Sequence, residues 1–121
     1  MSKFHWTVAL TVAACLMSAP AHADRFNEVV VVTHVDVDPQ NVGIAEPLLI
    51  GFVEQSRTDP GVKSFTLITQ EGTTNHFQLI EVFRDIRAFD AHVSAGHTVT
   101  FRGILQPLLG APYDERLYRA E

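Results

Sequence analysis

The segment Glu28–Val37, EVVVVTHVDV, limits the possible folds more than any other part of the sequence. β-Branched residues favour extended strands, and the Asp38–Pro39 pair that follows predicts a turn. Because successive side chains of a strand point to opposite faces, its valines fall on both faces. We therefore expect a strand that is covered on both sides, by helices on one face and by another apolar surface on the other.

The remaining patterns give an ordered series of strands and helices. Apolar residues at helical spacing predict helices, whereas short β-branched or alternating runs between turn residues predict strands. The predicted elements after the first strand are a helix over Val42–Gln55, strands over Val62–Gln70 and His76–Phe83, helices over Ile86–Ala95 and Thr98–Leu109, and a strand over Tyr113–Ala120. This βαββαβ order predicts an α+β, ferredoxin-like fold, with an antiparallel sheet and helices on one face.

The predicted strand His76–Phe83 also has apolar residues on both of its faces. One face carries Phe77, Leu79, Glu81 and Phe83, and the other carries His76, Gln78, Ile80 and Val82. Helices in this fold cover only one face of the sheet. A second copy of the sheet would cover the other face, so we expect a homodimer.

The first 23 residues have the pattern of a secretory signal peptide. Lys3 precedes an apolar run, Trp6–Met17, and the segment ends in the small-residue site Ala21-His22-Ala23. The apolar run is too short to span a bilayer as a helix. We expect cleavage after Ala23, a single domain over residues 24–121, and a periplasmic or secreted location.

Charge and cysteine content exclude several classes of partner. Fourteen acidic residues oppose nine basic ones, giving a formal net charge of −5, so nucleic acid and anionic membranes are not expected partners. The only cysteine, Cys15, lies in the predicted signal peptide, so the mature domain has no thiol. Val12–Cys15 is similar to a bacterial lipobox, and the membrane becomes a partner only if Cys15 is lipidated.

No standard metal or nucleotide motif occurs in the sequence. The four histidines after the leader, at positions 34, 76, 92 and 97, match no standard zinc spacing. Five residues on an ideal helix correspond to a rotation of about 140°, so His92 and His97 would not bind a metal ion from one helix face. We therefore predict no metal site.

The order and spacing of several residues resemble the antibiotic biosynthesis monooxygenase family. They are the DPGVKSF step into the second strand, and the string Glu81-x-Phe83-x8-His92-x4-His97 with Phe101 after it. The resemblance implies a dimeric α+β barrel whose relatives oxidise quinols or phenols with dioxygen and without flavin, metal or haem. Other members degrade haem, isomerise a small signalling compound, or have no assigned activity.

Two residues are the candidate catalytic groups. His92 follows Phe89 by three residues on a predicted helix, so it borders the apolar stripe and would line a cleft between the helices and the sheet. The resemblance makes it the proton acceptor or donor for a phenolic oxygen; the alternative is a half-buried structural histidine. Glu81 either pairs with Arg84 or Arg102, or has a raised pKa and acts as a base.

The candidate substrate-binding residues are Phe83, Thr33, His97, Phe101 and Arg102. Phe83 stands where many family members have tryptophan, and it is either a stacking wall for a planar substrate or a core aromatic. Thr33 and its neighbour His34 point to opposite faces, so only one of them can line the cleft. His97 is either a cleft residue or part of a helix junction.

Haem degradation is disfavoured, because this chain has Thr33, His92 and Arg102 where the haem-degrading relatives have asparagine, tryptophan and the axial histidine. The sequence thus predicts a cofactor-independent monooxygenase that oxidises a small quinol or aromatic phenol. The alternatives are a protein of the same fold that binds a small ligand without converting it, and an isomerase or degrader of a small signalling compound.

Overall fold

The computed structural model describes residue 3 and residues 27–121. Apart from Lys3, the predicted signal peptide, with its cleavage site and Cys15, lies outside the described residues. No helix within the described residues is long and apolar enough to cross a membrane.

The described domain contains four strands and three α-helices in the predicted order. A short 3₁₀ helix precedes the first α-helix, and another follows the third. The elements are β1 (Val29–Asp36), a 3₁₀ helix (Pro39–Asn41), α1 (Val42–Ser56), β2 (Val62–Thr69), β3 (His76–Phe83), α2 (Ile86–Ser94), α3 (Gly96–Leu105), a 3₁₀ helix (Gln106–Leu108) and β4 (Asp114–Arg119). The helix predicted over Thr98–Leu109 begins earlier and changes to 3₁₀ geometry at Gln106. Pro107 has no backbone N–H to continue an α-helix, which accounts for this change.

The four strands form one antiparallel sheet in the order β2-β3-β1-β4. This topology confirms the predicted ferredoxin-like fold. The two Val- and Phe-rich strands, β1 and β3, occupy the centre. Their register places Val31 opposite both Glu81 of β3 and Leu117 of β4, and Thr33 opposite Glu115. The sheet therefore brings two acidic residues from different strands to the helix-covered face.

The core lies between the helices and one face of the sheet. Its largest side chains are aromatic, and β3 alternates buried and half-buried residues along its length. The buried apolar residues include Val31, Val35, Leu49, Phe52, Phe65, Phe77, Leu79, Phe83, Phe101 and Leu105. Burial of an aromatic side chain contributes about 1.5–3 kcal/mol, so these rings dominate the packing that holds α1, α2 and α3 on the sheet.

On the opposite face of the sheet, no helix formed by residues 27–121 covers the strands. Val30, Val32, Ile80 and Val82 are half-buried there, while Ile68 is 46% exposed. Thr33 is fully buried on the helix side, whereas His34 is exposed on this open face beside Gln78. The two side chains thus point to opposite faces, as expected from strand geometry.

A tight turn, Asp59–Gly61, connects α1 to β2 and places Asp59 in contact with α2 and α3. The Val62 amide donates to the Asp59 carbonyl at 3.2 Å, and the Arg84 amide donates to the Gly61 carbonyl at 2.7 Å. Gly61 has φ +80°, and a Cβ built on it would lie 2.5 Å from the Ala88 Cβ of α2. Only glycine fits this conformation and this close approach.

Candidate active site

The first of two polar clusters in the helix layer is formed by Asp59, His92 and His97. The chain leaves helical geometry at Ala95, with φ −60° and ψ 142°, so His92 lies in the last turn of one helix and His97 in the first turn of the next. His92 Nδ1 lies 2.8 Å from Asp59 Oδ2, and His97 Nε2 lies 2.7 Å from the same oxygen. The ideal-helix expectation that the two histidines diverge is wrong, because the break at Ala95 turns both rings towards one carboxylate.

His92 lies in an aromatic enclosure behind this contact. It is 2% exposed, and its ring centroid lies 5.3–5.6 Å from those of Phe52, Phe65 and Phe83. Burial lowers the pKa of His92, and the hydrogen bond to Asp59 opposes that effect. The imidazole is therefore neutral at physiological pH, and its Nδ1–H donates to the carboxylate. Its proposed acid/base role stays a prediction from the resemblance.

An open groove runs between α1 and α3 on the outer side of the helix layer. Its volume is about 420 Å³, and its floor includes the rings of Phe52 and Phe101, which stack with their centroids 3.7 Å apart. His97 contributes to one wall, whereas His92 does not line the groove. The lining residues are Pro47, Leu48, Gly51, Phe52, Gln55, His97, Thr100, Phe101 and Ile104. This groove lies between two helices, not between helices and sheet as the sequence predicted.

The second polar cluster lies between α3 and the β4 side of the sheet. Thr33 and Glu81 reach it from the central strands, Arg102 from α3, and Tyr113 and Glu115 from the last segment of the chain. Arg102 forms a salt bridge with Glu115, and its guanidinium lies 5.1 Å from the centre of the Tyr113 ring. The predicted pairing of Glu81 with an arginine is not formed, because Arg102 bonds to Glu115.

Glu81 is an unusual carboxyl group, since it is 1% exposed and its Oε2 has no hydrogen-bond partner within the described chain. Burial raises its pKa to about 8, the nearby Glu115 carboxylate adds to the rise, and the Arg102 charge opposes it. Burial likewise raises the pKa of the Tyr113 hydroxyl, and the Glu81 carboxyl contributes. At neutral pH the Glu81 carboxyl is therefore mostly protonated.

A small cavity of about 190 Å³ adjoins this cluster. It is lined by Arg102, Leu105, Gln106, Leu109 and Tyr113. Four buried polar atoms of the cluster have no hydrogen-bond partner within 3.5 Å among the described residues: Thr33 Oγ1, Glu81 Oε2, Arg102 Nε and Tyr113 Oη. The Thr33 hydroxyl nevertheless lies near enough to the Tyr113 hydroxyl to oppose the rise of its pKa. Buried polar groups in proteins are nearly always paired, and a bound polar ligand would supply partners for the remaining atoms.

Three residues of the two clusters are not candidates from the sequence: Asp59, Tyr113 and Glu115. The sequence predicts Asp59 only as part of a turn and of the DPG step, although its carboxylate joins the two histidines. The sequence predicts Tyr113 and Glu115 only as part of a final strand. Glu115 is placed opposite Thr33 by the β4 register and Tyr113 lies just before β4, so both positions become known only with the sheet order.

Comparison with known proteins identifies the family. The family model described as antibiotic biosynthesis monooxygenase matches residues 28–103, which is more than half of the chain. The chain belongs to the antibiotic biosynthesis monooxygenase family. A search of curated protein sequences finds no significant match.

Solved structures similar to this antibiotic biosynthesis monooxygenase family member share its fold at low sequence identity. A conserved protein from Methanosarcina mazei has a TM-score of 0.77 at 17% identity, with 83% of this chain and 99% of that chain covered. A Mycobacterium tuberculosis protein has a TM-score of 0.71 at 22% identity, covering 75% and 92%. A candidate family member from Nitrosomonas europaea has a TM-score of 0.74 at 19% identity, covering 78% and 90%.

Two aromatic residues of the family pattern lie in different surroundings. Phe83, at the position where many family members have tryptophan, is fully buried and packs edge-on against Phe65 and Phe89. It lines neither the groove nor the small cavity, so its position is that of a core aromatic. Phe101 lines the groove through its stacked pair with Phe52.

Proposed function

We propose that this family member is a cofactor-independent monooxygenase that oxidises a single-ring phenol or quinol with dioxygen in the small cavity lined by Arg102 and Tyr113, which we call the Glu81 cavity. The observation that carries the proposal is the buried Glu81 carboxyl group, with a raised pKa and an unpaired oxygen, in the same cluster as the two residues that line this cavity. The name of the matched family and the description of the Nitrosomonas europaea relative agree with monooxygenase chemistry.

Glu81 is suited to accept the phenolic proton. A phenol has a pKa of about 10, so a glutamate with a normal pKa of about 4.3 would be a weak base towards it. A glutamate whose pKa is about 8 is much closer to the phenol, which makes proton transfer less unfavourable. Arg102 lies beside the same cavity, and its guanidinium would stabilise the phenolate that forms.

The phenolate supplies the electrons for the reaction. Deprotonation makes the ring electron-rich, so dioxygen accepts electrons from it and one oxygen atom bonds to the ring carbon opposite the hydroxyl. That carbon loses its hydrogen, and the second oxygen atom leaves as water. A phenol and dioxygen thus give a quinone and water, in which the substrate is oxidised and dioxygen is reduced without another reductant.

The cavity volume favours a substrate with one aromatic ring. An enclosed apolar cavity of about 150 Å³ holds benzene in an engineered protein. The 190 Å³ cavity is only slightly larger, so one substituted ring fits it. The Tyr113 hydroxyl, which lies near the Thr33 hydroxyl, would bond to a ring substituent.

The test is the fate of molecular oxygen. The purified protein should consume one dioxygen molecule per molecule of a monocyclic phenol, and with ¹⁸O₂ the quinone should carry one labelled atom. Phenols are preferable to quinols for the first panel because quinols oxidise spontaneously, and a protein-free blank corrects for this reaction. Absence of label in the product of every phenol and quinol tested would contradict the proposal.

A ligand-binding protein is the second candidate function, and the groove between α1 and α3 favours it. At about 420 Å³ the groove is larger than the Glu81 cavity and has a stacked aromatic floor. If a planar ligand raises the melting temperature while no oxygen is consumed, this function replaces the first. Conversion of a compound under strictly anaerobic conditions would instead indicate an isomerase.

We also propose that two copies of the chain associate through the open face of the sheet, as is common in this family. Ile80→Glu places a charge at the centre of that face, so we expect a monomer in sedimentation experiments, whereas the unchanged protein should be a dimer. Val99→Glu is the matched control, because Val99 is 61% exposed on α3, in the helix layer on the other side of the sheet. Equal masses for the two variants would argue against this interface.

A further inference from the structure

We propose that Asp59, His92 and His97 form a binding site for one divalent transition-metal ion, separate from the Glu81 cavity. The three side chains come from the turn after α1, from the end of α2 and from the start of α3. Each offers one ligand atom, and these atoms lie within 4.8 Å of one another. The inference does not rest on the proposed oxygenase activity.

The donor set matches the preference of this class of ion. Two imidazole nitrogens and one carboxylate oxygen bind Zn²⁺ and other first-row divalent metals, whereas Ca²⁺ and Mg²⁺ prefer oxygen ligands. The present contacts are hydrogen bonds of 2.7 and 2.8 Å to one Asp59 oxygen. An ion bound at about 2.0–2.1 Å from each atom would replace the hydrogen bonds, with the side chains adjusting so that the three ligand atoms surround it.

The charge of Asp59 gives an independent reason for a cation. Its side chain is only 16% exposed, and the two histidines are its only salt-bridge partners among residues 27–121. Arg57, on the same turn, donates instead to the Phe65 carbonyl. Removing a carboxylate from water is costly unless a nearby positive charge compensates, and a divalent ion bound by the same three side chains would supply that charge.

The surroundings provide both a dry shell and an entry route. Phe52, Phe65 and Phe83 surround the His92 ring, and such an apolar shell limits access of water to the ligands. His97, by contrast, forms part of the wall of the groove between α1 and α3. Three protein ligands leave a fourth position for water, and the groove side of the site is where that water would enter.

A bound ion would link three segments that the sequence separates. Because it binds only the folded arrangement, it raises stability by mass action. For a domain of this size, Zn²⁺ at about 100 times its dissociation constant should raise Tm by on the order of 10 °C. The Glu81→Gln variant should show the same rise, because Glu81 is not a ligand.

The experiment is a titration of chelator-treated protein with Co²⁺ followed by visible absorption, and with Zn²⁺ followed by calorimetry. We expect one ion per chain, with loss of binding of at least 100-fold in Asp59→Asn and in His97→Gln. His76→Gln is the matched control, because His76 forms a single surface pair with Asp36 at 3.0 Å. That variant should bind as the unchanged protein does.

A direct identification of the ligands does not depend on the variants folding. Co²⁺ shifts the NMR signals of the imidazoles that bind it, so only His92 and His97 should be strongly shifted in the unchanged protein. Three outcomes would each overturn the inference. They are no binding at a metal concentration of about 100 μM, shifts at other histidines, and unchanged affinity in the folded Asp59→Asn and His97→Gln variants.

Discussion

Gly61→Ala is expected to destabilise the protein by about 3 kcal/mol. Its φ of +80° is unfavourable for any residue with a Cβ, at a cost of about 1–2 kcal/mol. The added methyl group would also lie 2.5 Å from the Ala88 Cβ, and such overpacking costs about 1–3 kcal/mol. Urea denaturation of the purified variant measures the combined loss in the free energy of unfolding.

Gly72→Ala is the matched control for this substitution. Gly72 has the same φ of +80°, but nothing lies within 4 Å of a Cβ built on it. We expect a loss of only about 1–2 kcal/mol there, from backbone conformation alone. Adding Ala88→Gly to Gly61→Ala should relieve the contact and recover part of the packing loss. Equal losses at Gly61 and Gly72 would show that the approach of the turn to α2 does not limit stability.

Glu81→Gln is expected to lower the rate of phenol oxidation by about 10²–10⁴-fold, the usual contribution of a general acid–base group. Glutamine has nearly the same shape but cannot accept the proton. In the unchanged protein the rate should rise with pH towards a plateau above about pH 8, as Glu81 ionises. The same oxygen-uptake assay measures both effects, and Glu71→Gln, an exposed loop substitution, should leave the rate unchanged.

His92→Gln distinguishes the two candidate proton acceptors. If His92 accepts the proton, its variant loses the rate and Glu81→Gln keeps it, which would contradict the assignment to Glu81. His92 has a pKa lowered by burial, so its pH profile would also rise at lower pH than that of Glu81.

The same glutamate should make stability depend on pH. Its pKa is about 8 in the folded protein against 4.5 in the unfolded chain, so between these values the folded state holds one more proton. Stability is therefore greatest below about pH 4.5 for this group and falls as pH rises to about 8, by at most about 1.4 kcal/mol per pH unit. Glu81→Gln should remove this slope. Urea denaturation measures the free energy of unfolding of both proteins at pH 6 and pH 8. The same change between these pH values in both proteins would refute the prediction.

The fold was predictable because its signals are local. Each pattern can be read from a short segment of the chain, as in valine-rich β1, the alternation in β3 and the Asp59–Gly61 turn. Together these patterns predict the order of strands and helices that the structure confirms. The end of α3 was predicted four residues too late, because apolar spacing continues through Leu108 and Leu109 although Pro107 interrupts the α-helical hydrogen bonds.

The candidate sites were only partly predictable, since they depend on contacts between distant segments. Glu81 and Arg102 were selected from the sequence, and the structure brings them near each other. Their cluster, however, includes Glu115, which takes the arginine as its partner. The meeting of His92, His97 and Asp59 depends on one extended residue, Ala95, whose φ and ψ no periodicity reveals. Roles that rest on the family resemblance stay predictions.

The sheet order has a consequence for how the chain avoids polymerising. Strands β2 and β4 are the two edges, and an unpaired edge can template the addition of another chain. β4, DERLYR, carries four charged residues in six, which discourages edge-to-edge pairing, whereas β2, VKSFTLIT, has only Lys63. The two edge strands are thus unequally protected against pairing with another chain. If sheets of neighbouring molecules joined edge to edge, they would do so through β2.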